Sequence, residues 1–213
     1  QTASPGARYG QSMAFDRARD RAIIFAGLPG WSDVWELQSQ NWQSMGSGPG
    51  SRSEAFMVYD EVRHVTVLFG GYLGGYTDDL YEYDGATWQR RFPNYSPPPM
   101  LEHRMWFDDL AGKVYLYGGA SNGQLAAGVW SWDGSRWRLV SASPPKLLYP
   151  AIAFDRTRHV AVLFGGYQNG ISQSQTWEFD GYHWQQRFPL TSPPARYLNV
   201  AAFHEGIGKV VMH

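Results

Sequence analysis

Cysteine is absent from the 213 residues. That excludes disulfides, thiolate metal sites and cysteine nucleophiles, and it leaves the redox compartment open. Excess charge is lacking too: the formal net charge is −1, so nothing draws the chain to nucleic acid or anionic lipid. No apolar run approaches the roughly 18 residues a membrane span needs. No signal peptide is legible, and the chain begins at Gln1 rather than Met, which reads as a processed or trimmed product. What is present is apolar and aromatic. With 43% hydrophobic and 16% aromatic residues a sizeable core is expected. Ten Trp, 24 Gly and 13 Pro favour many short strands over long helices.

Val65–Gly71 reads Val-Thr-Val-Leu-Phe-Gly-Gly. Ala161–Gly166, Val114–Gly119 and Ala22–Gly27 echo it, and Lys209–His213 begins a fifth copy. A short β-branched and aromatic run ended by glycines predicts a buried strand leading into a turn. Recurrence at a fixed interval predicts a repeat architecture. Each unit starts with a Pro-rich lead-in and a strand ending in aromatic-Asp: Phe15-Asp16, Tyr59-Asp60, Phe107-Asp108 and Phe154-Asp155, with Phe203-His204 as a variant. These aspartates read as turn formers that bond local N–H groups. A third strand carries Trp35, Tyr81, Trp130 or Trp177. Asp84-Gly85, Asp133-Gly134 and Asp180-Gly181 then predict hairpin turns. The first unit has Gln38–Asn41 there instead. The fourth strand carries Trp42, Trp88, Trp137 and Trp184, spaced 46, 49 and 47 residues apart.

Four short antiparallel strands per unit of roughly 47 residues are the sequence form of a propeller blade. The unit resembles the kelch repeat: a strand, Gly-Gly after an aromatic, then spaced aromatic and Trp positions. The resemblance runs from about Pro5 to His213, with Ala26, Tyr81 and His204 as departures. The expected fold is all-β, a kelch-type β-propeller in a single domain 1–213. Blades are expected at about 5–47, 48–97, 98–145 and 146–193, with the first two strands of a fifth at 194–213. The propeller does not close on paper. Continuation beyond His213 is the favoured expectation, and a partner subunit covering the open face is the other.

The resemblance implies that first strands line a central channel, and that their lead-ins share a face with the loops after the glycines. On that face lie Arg8, Arg52 and Arg196, with Met100 and Leu147 at the equivalent positions. Tyr9, Trp31, Tyr72, Tyr76, Tyr167 and Tyr197 join them, and His103 lies in a first strand. Arginines among tyrosines suit a carboxylate, a sulfate or a sugar, since a fork of donors fixes an anion and flat rings stack on a ligand. In kelch domains that bind acidic peptides the matching arginines do this work. The competing expectation is that each arginine satisfies loop carbonyls or pairs with a nearby acid.

Other motifs carry less. Gly119–Gly123 matches G-x-S-x-G, but a nucleophile elbow needs a strand–turn–helix context. His64 and His159 occupy equivalent turns and read as solvated. No nucleophile, base and orienter come together, and no cofactor or metal is implied. The leading expectation is a non-catalytic binding module that presents its loop face to a glycan, an acidic peptide or a partner protein. Self-assembly through the open fifth blade comes second, and an enzyme of epimerase or cyclase type third. Resemblance to kelch-like proteins exported by bacteria implies an extracellular or periplasmic location.

Overall fold

A computed structural model describes residues 4–126, 128–141 and 145–213. They form antiparallel sheets and no α-helix; a single 3-10 turn spans Glu205–Ile207. Sheet 1 comprises Ser12–Asp16, Arg21–Phe25, Asp33–Gln38 and Asn41–Ser47. Sheet 2 comprises Phe56–Asp60, Val65–Phe69, Leu80–Tyr83 and Trp88–Arg91. Sheet 3 comprises Arg104–Asp108, Lys113–Tyr117, Val129–Trp132 and Trp137–Ser141. Sheet 4 comprises Ala151–Asp155, Val160–Phe164, Thr176–Phe179 and Trp184–Arg187. Ala201–His204 and Lys209–Met212 form a two-stranded hairpin that follows sheet 4. In every sheet the strands pair in chain order. First strands of successive sheets stand beside one another, and together they line a channel of about 260 Å³. The arrangement is propeller-like.

Local chemistry explains the unit. Asp16, Asp60, Asp108 and Asp155 end their first strands, and the Oδ1 of each accepts backbone N–H groups of the turn, as from Val62 at 3.0 Å and Arg63 at 2.9 Å. The glycine pairs join one sheet to the next. Gly71 donates its N–H to the Met100 carbonyl at 2.8 Å, Gly166 to Arg196 at 2.8 Å and Gly27 to Arg52 at 2.9 Å. Gly70 has φ +66, and a Cβ there would lie 2.6 Å from the Met100 oxygen, so a side chain has no room.

The core sits between sheets rather than inside one. Ile23, Phe25, Met57, Leu68 and Tyr83 fill the seam of sheets 1 and 2. Phe69, Met105, Leu116, Trp130 and Trp132 fill that of sheets 2 and 3. Trp106, Tyr115, Leu163 and Phe179 fill that of sheets 3 and 4. No helix of the described residues is long and apolar enough to cross a membrane.

Candidate functional site at the lead-in end of the channel

Just before each first strand, one residue adopts a left-handed backbone: Gly10, Glu54, Glu102, Tyr149 and Leu198, with φ between 50° and 64°. Four of the five are not glycine, and each such residue costs of order 1–2 kcal/mol. Backbone bonds chain them together. Glu54 N–H donates to the Gly10 carbonyl at 2.8 Å, Glu102 to Glu54 at 3.1 Å, and Leu198 to Tyr149 at 3.1 Å. Strain is thus held where successive lead-ins meet, a place where it often accompanies function.

A cavity of about 190 Å³ opens here, lined by Gln11, Glu54, Glu102, His103, Arg104 and Asn199 among others. Arg104 is deeply placed. Its Nε donates to the Pro150 carbonyl at 3.0 Å, and its Nη1 to the carbonyls of His103 at 3.2 Å and Glu102 at 3.3 Å. The guanidinium lies 5.7 Å from the Phe56 ring centre. Burial lowers its pKa, with the charges of Glu54 and Glu102 opposing, and an arginine so placed stays cationic. Glu102 is pushed up by burial; Tyr149 opposes that and the Glu54 charge adds to it. Tyr149 is pushed up to about 12 by burial and by Glu102. Asn199 is buried, and its Oδ1 has no hydrogen-bond partner among the described residues. Two residues before Asn199 in the chain, Tyr197 stands 6.3 Å from Tyr149 and 5.1 Å from Tyr167, ring centre to ring centre.

The expected site residues fall into three groups. Tyr167 and Tyr197 meet each other, and His103 lines the cavity. His103 is fully buried, edge-on to Phe69 at 5.6 Å, and burial and the Arg104 charge bring it down to about 3, so its ring is neutral. Tyr72 and Tyr76 pair at 6.3 Å on the loop of sheet 2, and Tyr9 is exposed in the lead-in of sheet 1. The arginines behave differently. Arg8 binds Asp33 with both Nη atoms, at 2.7 and 3.0 Å, and lies over Trp31 at 5.2 Å. The Arg52 side chain is 0% exposed and donates to the Pro49 carbonyl at 2.7 Å, the Gly70 carbonyl at 3.2 Å and Asp79 at 3.3 Å. Both guanidinium groups serve their own sheets. Arg196 is half-buried, and its Nε donates to the Pro194 carbonyl at 3.2 Å.

Glu54, Glu102, Arg104, Tyr149 and Asn199 were not expected. A signal was available for Arg104. Its counterparts at the same place in the unit are Ser12, Phe56, Ala151 and Val200, so a cation there departs from every sibling.

The opposite end of the channel is held by ion pairs among its own residues. The residue after each repeat Asp, or after His204, forms one cluster of Arg17, Glu61, Asp109, Arg156 and Glu205. Arg17 pairs with Glu61 at 2.9 Å and with Glu205; Arg156 pairs with Glu61 and lies 3.8 Å from both Asp109 and Glu205.

No family model matches the chain, and no curated protein matches it in sequence. Among solved structures, that of YjhT superposes with a TM-score of 0.75 at 18% identity, covering 95% of this chain and 71% of its own. At that identity the likeness is one of fold.

Proposed function

We propose that the chain is a kelch-type propeller of four blades plus the first two strands of a fifth, acting as a non-catalytic binding module outside the cytoplasm. Its ligand is the hydroxyl-rich end of a glycan, taken at the lead-in end of the channel. One observation carries the reading: Arg104, Glu102 and Asn199, whose buried oxygen has no partner among the described residues, line a single cavity, and Tyr149 bonds to Glu102 beside it. Carboxylates and an amide oxygen accept from sugar hydroxyls, a guanidinium donates to them, and tyrosine rings stack on the sugar face. An acidic peptide fits less well, because Glu54 and Glu102 would repel it and Arg8 and Arg52 are engaged elsewhere. Calorimetric titration with neutral sugars, acidic sugars and acidic peptides tests this. Binding of a sugar that Asn199→Ala and Glu102→Gln weaken at least tenfold, with the melt unchanged, is the expected result. Absence of any sugar binder sinks it.

Self-assembly is the second reading, favoured by the outer edge of Lys209–Met212, which pairs with no further strand among the described residues, and by the exposed Val200, Ile207 and Val211. Dissociation of an oligomer on deletion of Lys209–His213 supports it, and persistence of the oligomer removes it.

A further inference from the structure

Each repeat Asp also anchors a charge network at the turn end of its sheet. In sheet 1, Asp16 Oδ2 accepts from Arg19 Nε at 2.7 Å, and Arg19 Nη1 donates to Glu36 at 2.8 Å. In sheet 2, Asp60 accepts from Arg63 at 2.8 Å, Arg63 pairs with Glu82, and Glu82 accepts from Arg91 at 2.7 Å. Sheet 4 repeats this with Asp155, Arg158, Glu178 and Arg187. Arg19 and Arg63 also fill the seam to the next sheet. A Cβ on Gly134 of sheet 3 would lie 2.7 Å from Arg63 Cδ, and one on Gly85 of sheet 2 would overlap the Arg19 guanidinium.

Sheet 3 keeps only the first member. Its four positions hold Asp108, Ala111, Ser131 and Val140. Asp108 Oδ1 still accepts from the N–H groups of Leu110 at 3.0 Å and Ala111 at 2.9 Å. Among the described residues its Oδ2 receives no donor. All four residues line one cavity of about 380 Å³ beside Gly181 and Tyr182 of sheet 4. A Cβ on Gly181 would meet nothing nearer than the Tyr115 hydroxyl at 3.8 Å. The space that an arginine fills in the two preceding seams is open here, and the carboxylate that arginine would bind remains, 8% exposed.

We propose that this cavity binds a guanidinium group supplied from outside the chain, with Asp108 Oδ2 as its acceptor. The chemistry is that of the sibling sheets, with the arginine provided by a ligand. A guanidinium presents paired donors to a carboxylate and stacks on an aromatic face, here that of the exposed Tyr182, better than an ammonium does. Asp180 adds a second carboxylate to the lining. Lys113, Arg138 and His159 also border the cavity. They suit the carboxylate of free arginine and disfavour a bare dication, so they separate the two sources of the group. The inference stands apart from the lead-in site.

The test is calorimetric titration at constant ionic strength with methylguanidinium, agmatine, L-arginine and a Gly-Arg-Gly peptide, with methylammonium as control. Saturable binding of methylguanidinium is expected, at least tenfold tighter than methylammonium. Ala111→Arg, which supplies the group from within, should abolish it. Asp108→Asn, which keeps the Oδ1 bonds of the turn, should weaken it at least tenfold and decides the matter if Ala111→Arg does not fold. L-Arginine binding tighter than the peptide assigns the site to a small molecule; the reverse order assigns it to a partner's arginine. No saturable binding of any guanidinium probe, or binding unchanged in both variants, overturns the proposal.

Discussion

Between sheets 2 and 3, Trp132 donates its indole N–H across the seam to Glu82 at 3.0 Å, and Glu82 is held in place by Arg63 and Arg91. Between sheets 3 and 4 the matching residues are Phe179 and Ser131. There Trp106 stacks on Tyr115 at 5.4 Å, and Phe179 meets both rings edge-on at 6.1 and 5.9 Å. The seam of sheets 1 and 2 follows the first pattern, with Tyr83 donating to Glu36 at 3.3 Å. So the ring with a donor stands where the acid stands, and where the acid is gone the ring has no donor. A buried carboxylate without its full set of partners costs several kcal/mol, and a buried N–H without an acceptor costs about 1–3 kcal/mol. The third-strand acid, its arginine and the donor ring are therefore kept or lost together.

The largest effects compare the two rings. Trp132→Ala removes a fully buried ring and a hydrogen bond to a charged acceptor, so it should cost about 5 kcal/mol or more. Phe179→Ala removes a ring alone and should cost about 3–4 kcal/mol. Urea unfolding of both variants checks this, and equal losses would mean that the Glu82 bond adds nothing. Next comes Arg63→Ala. It leaves Asp60 and Glu82, 0% and 2% exposed, short of a cation, at about 3–5 kcal/mol. Adding Glu82→Leu and Asp60→Asn to that variant should recover much of the loss; no recovery would point to the Arg63 stem, rather than its charge, as what the seam needs.

What the sequence made legible was local. Strand, Asp turn, Asp-Gly hairpin and glycine pair each depend on residues within a few positions, and each recurs where the repeat places it. Equivalent positions suggested a shared face of arginines; for Arg8 and Arg52 it is the competing expectation, pairing with a nearby acid, that the structure shows. Arg8 and Arg52 are each met by an acid 25 or 27 residues later, Asp33 or Asp79, two places before the third-strand ring. Where Met100 and Leu147 replace arginine, Gly128 and Gln175 stand at the acid's place. Arginine and acid come and go together, and that pairing was readable. The lead-in cavity was not, because Glu54, the pair Glu102 and Arg104, and Asn199 come from three separate units, and only the closing of lead-in against lead-in brings them together.

Titration separates the seams further. His103 lies at the seam of sheets 2 and 3, and its counterparts Ala55 and Pro150 do not titrate. Its folded pKa is about 3, against roughly 6.5 when unfolded. Below pH 6.5 the unfolded chain therefore binds the extra proton, and stability falls as pH drops from 6.5 toward 3, by roughly 1 kcal/mol per pH unit. Glu82 acts lower in the range. Burial alone would raise it, but Arg63 and Trp132 hold it below its usual value, so its contribution is present above the ordinary glutamate range and is lost as pH falls through and below it. His103→Leu should flatten the upper window and leave the lower one. A variant with the parent's slope between pH 6.5 and 5 would show that His103 is not the group responsible.

The smallest effect expected is at the turn-end cluster, and it asks whether charge or burial gives the seams their strength. Arg17 makes two ion pairs, as Arg63 does, but its side chain is 42% exposed and Glu205 is 51% exposed, against 0% and 2% for Asp60 and Glu82. Water screens such pairs, and ordering two long side chains offsets much of what remains, so Arg17→Ala should cost about 0–1 kcal/mol, and less as salt is raised. Arg63→Ala should keep its cost in the same salt, since its partners are shielded. If Arg17→Ala proved as costly as Arg63→Ala, the contrast between the seams would rest on the number of charges each contains. If the costs separate as expected, it rests on where those charges are buried, and Ser131 and Phe179 are then the combination that spares the third seam a second buried acid, beside Asp108, with no arginine to hold it.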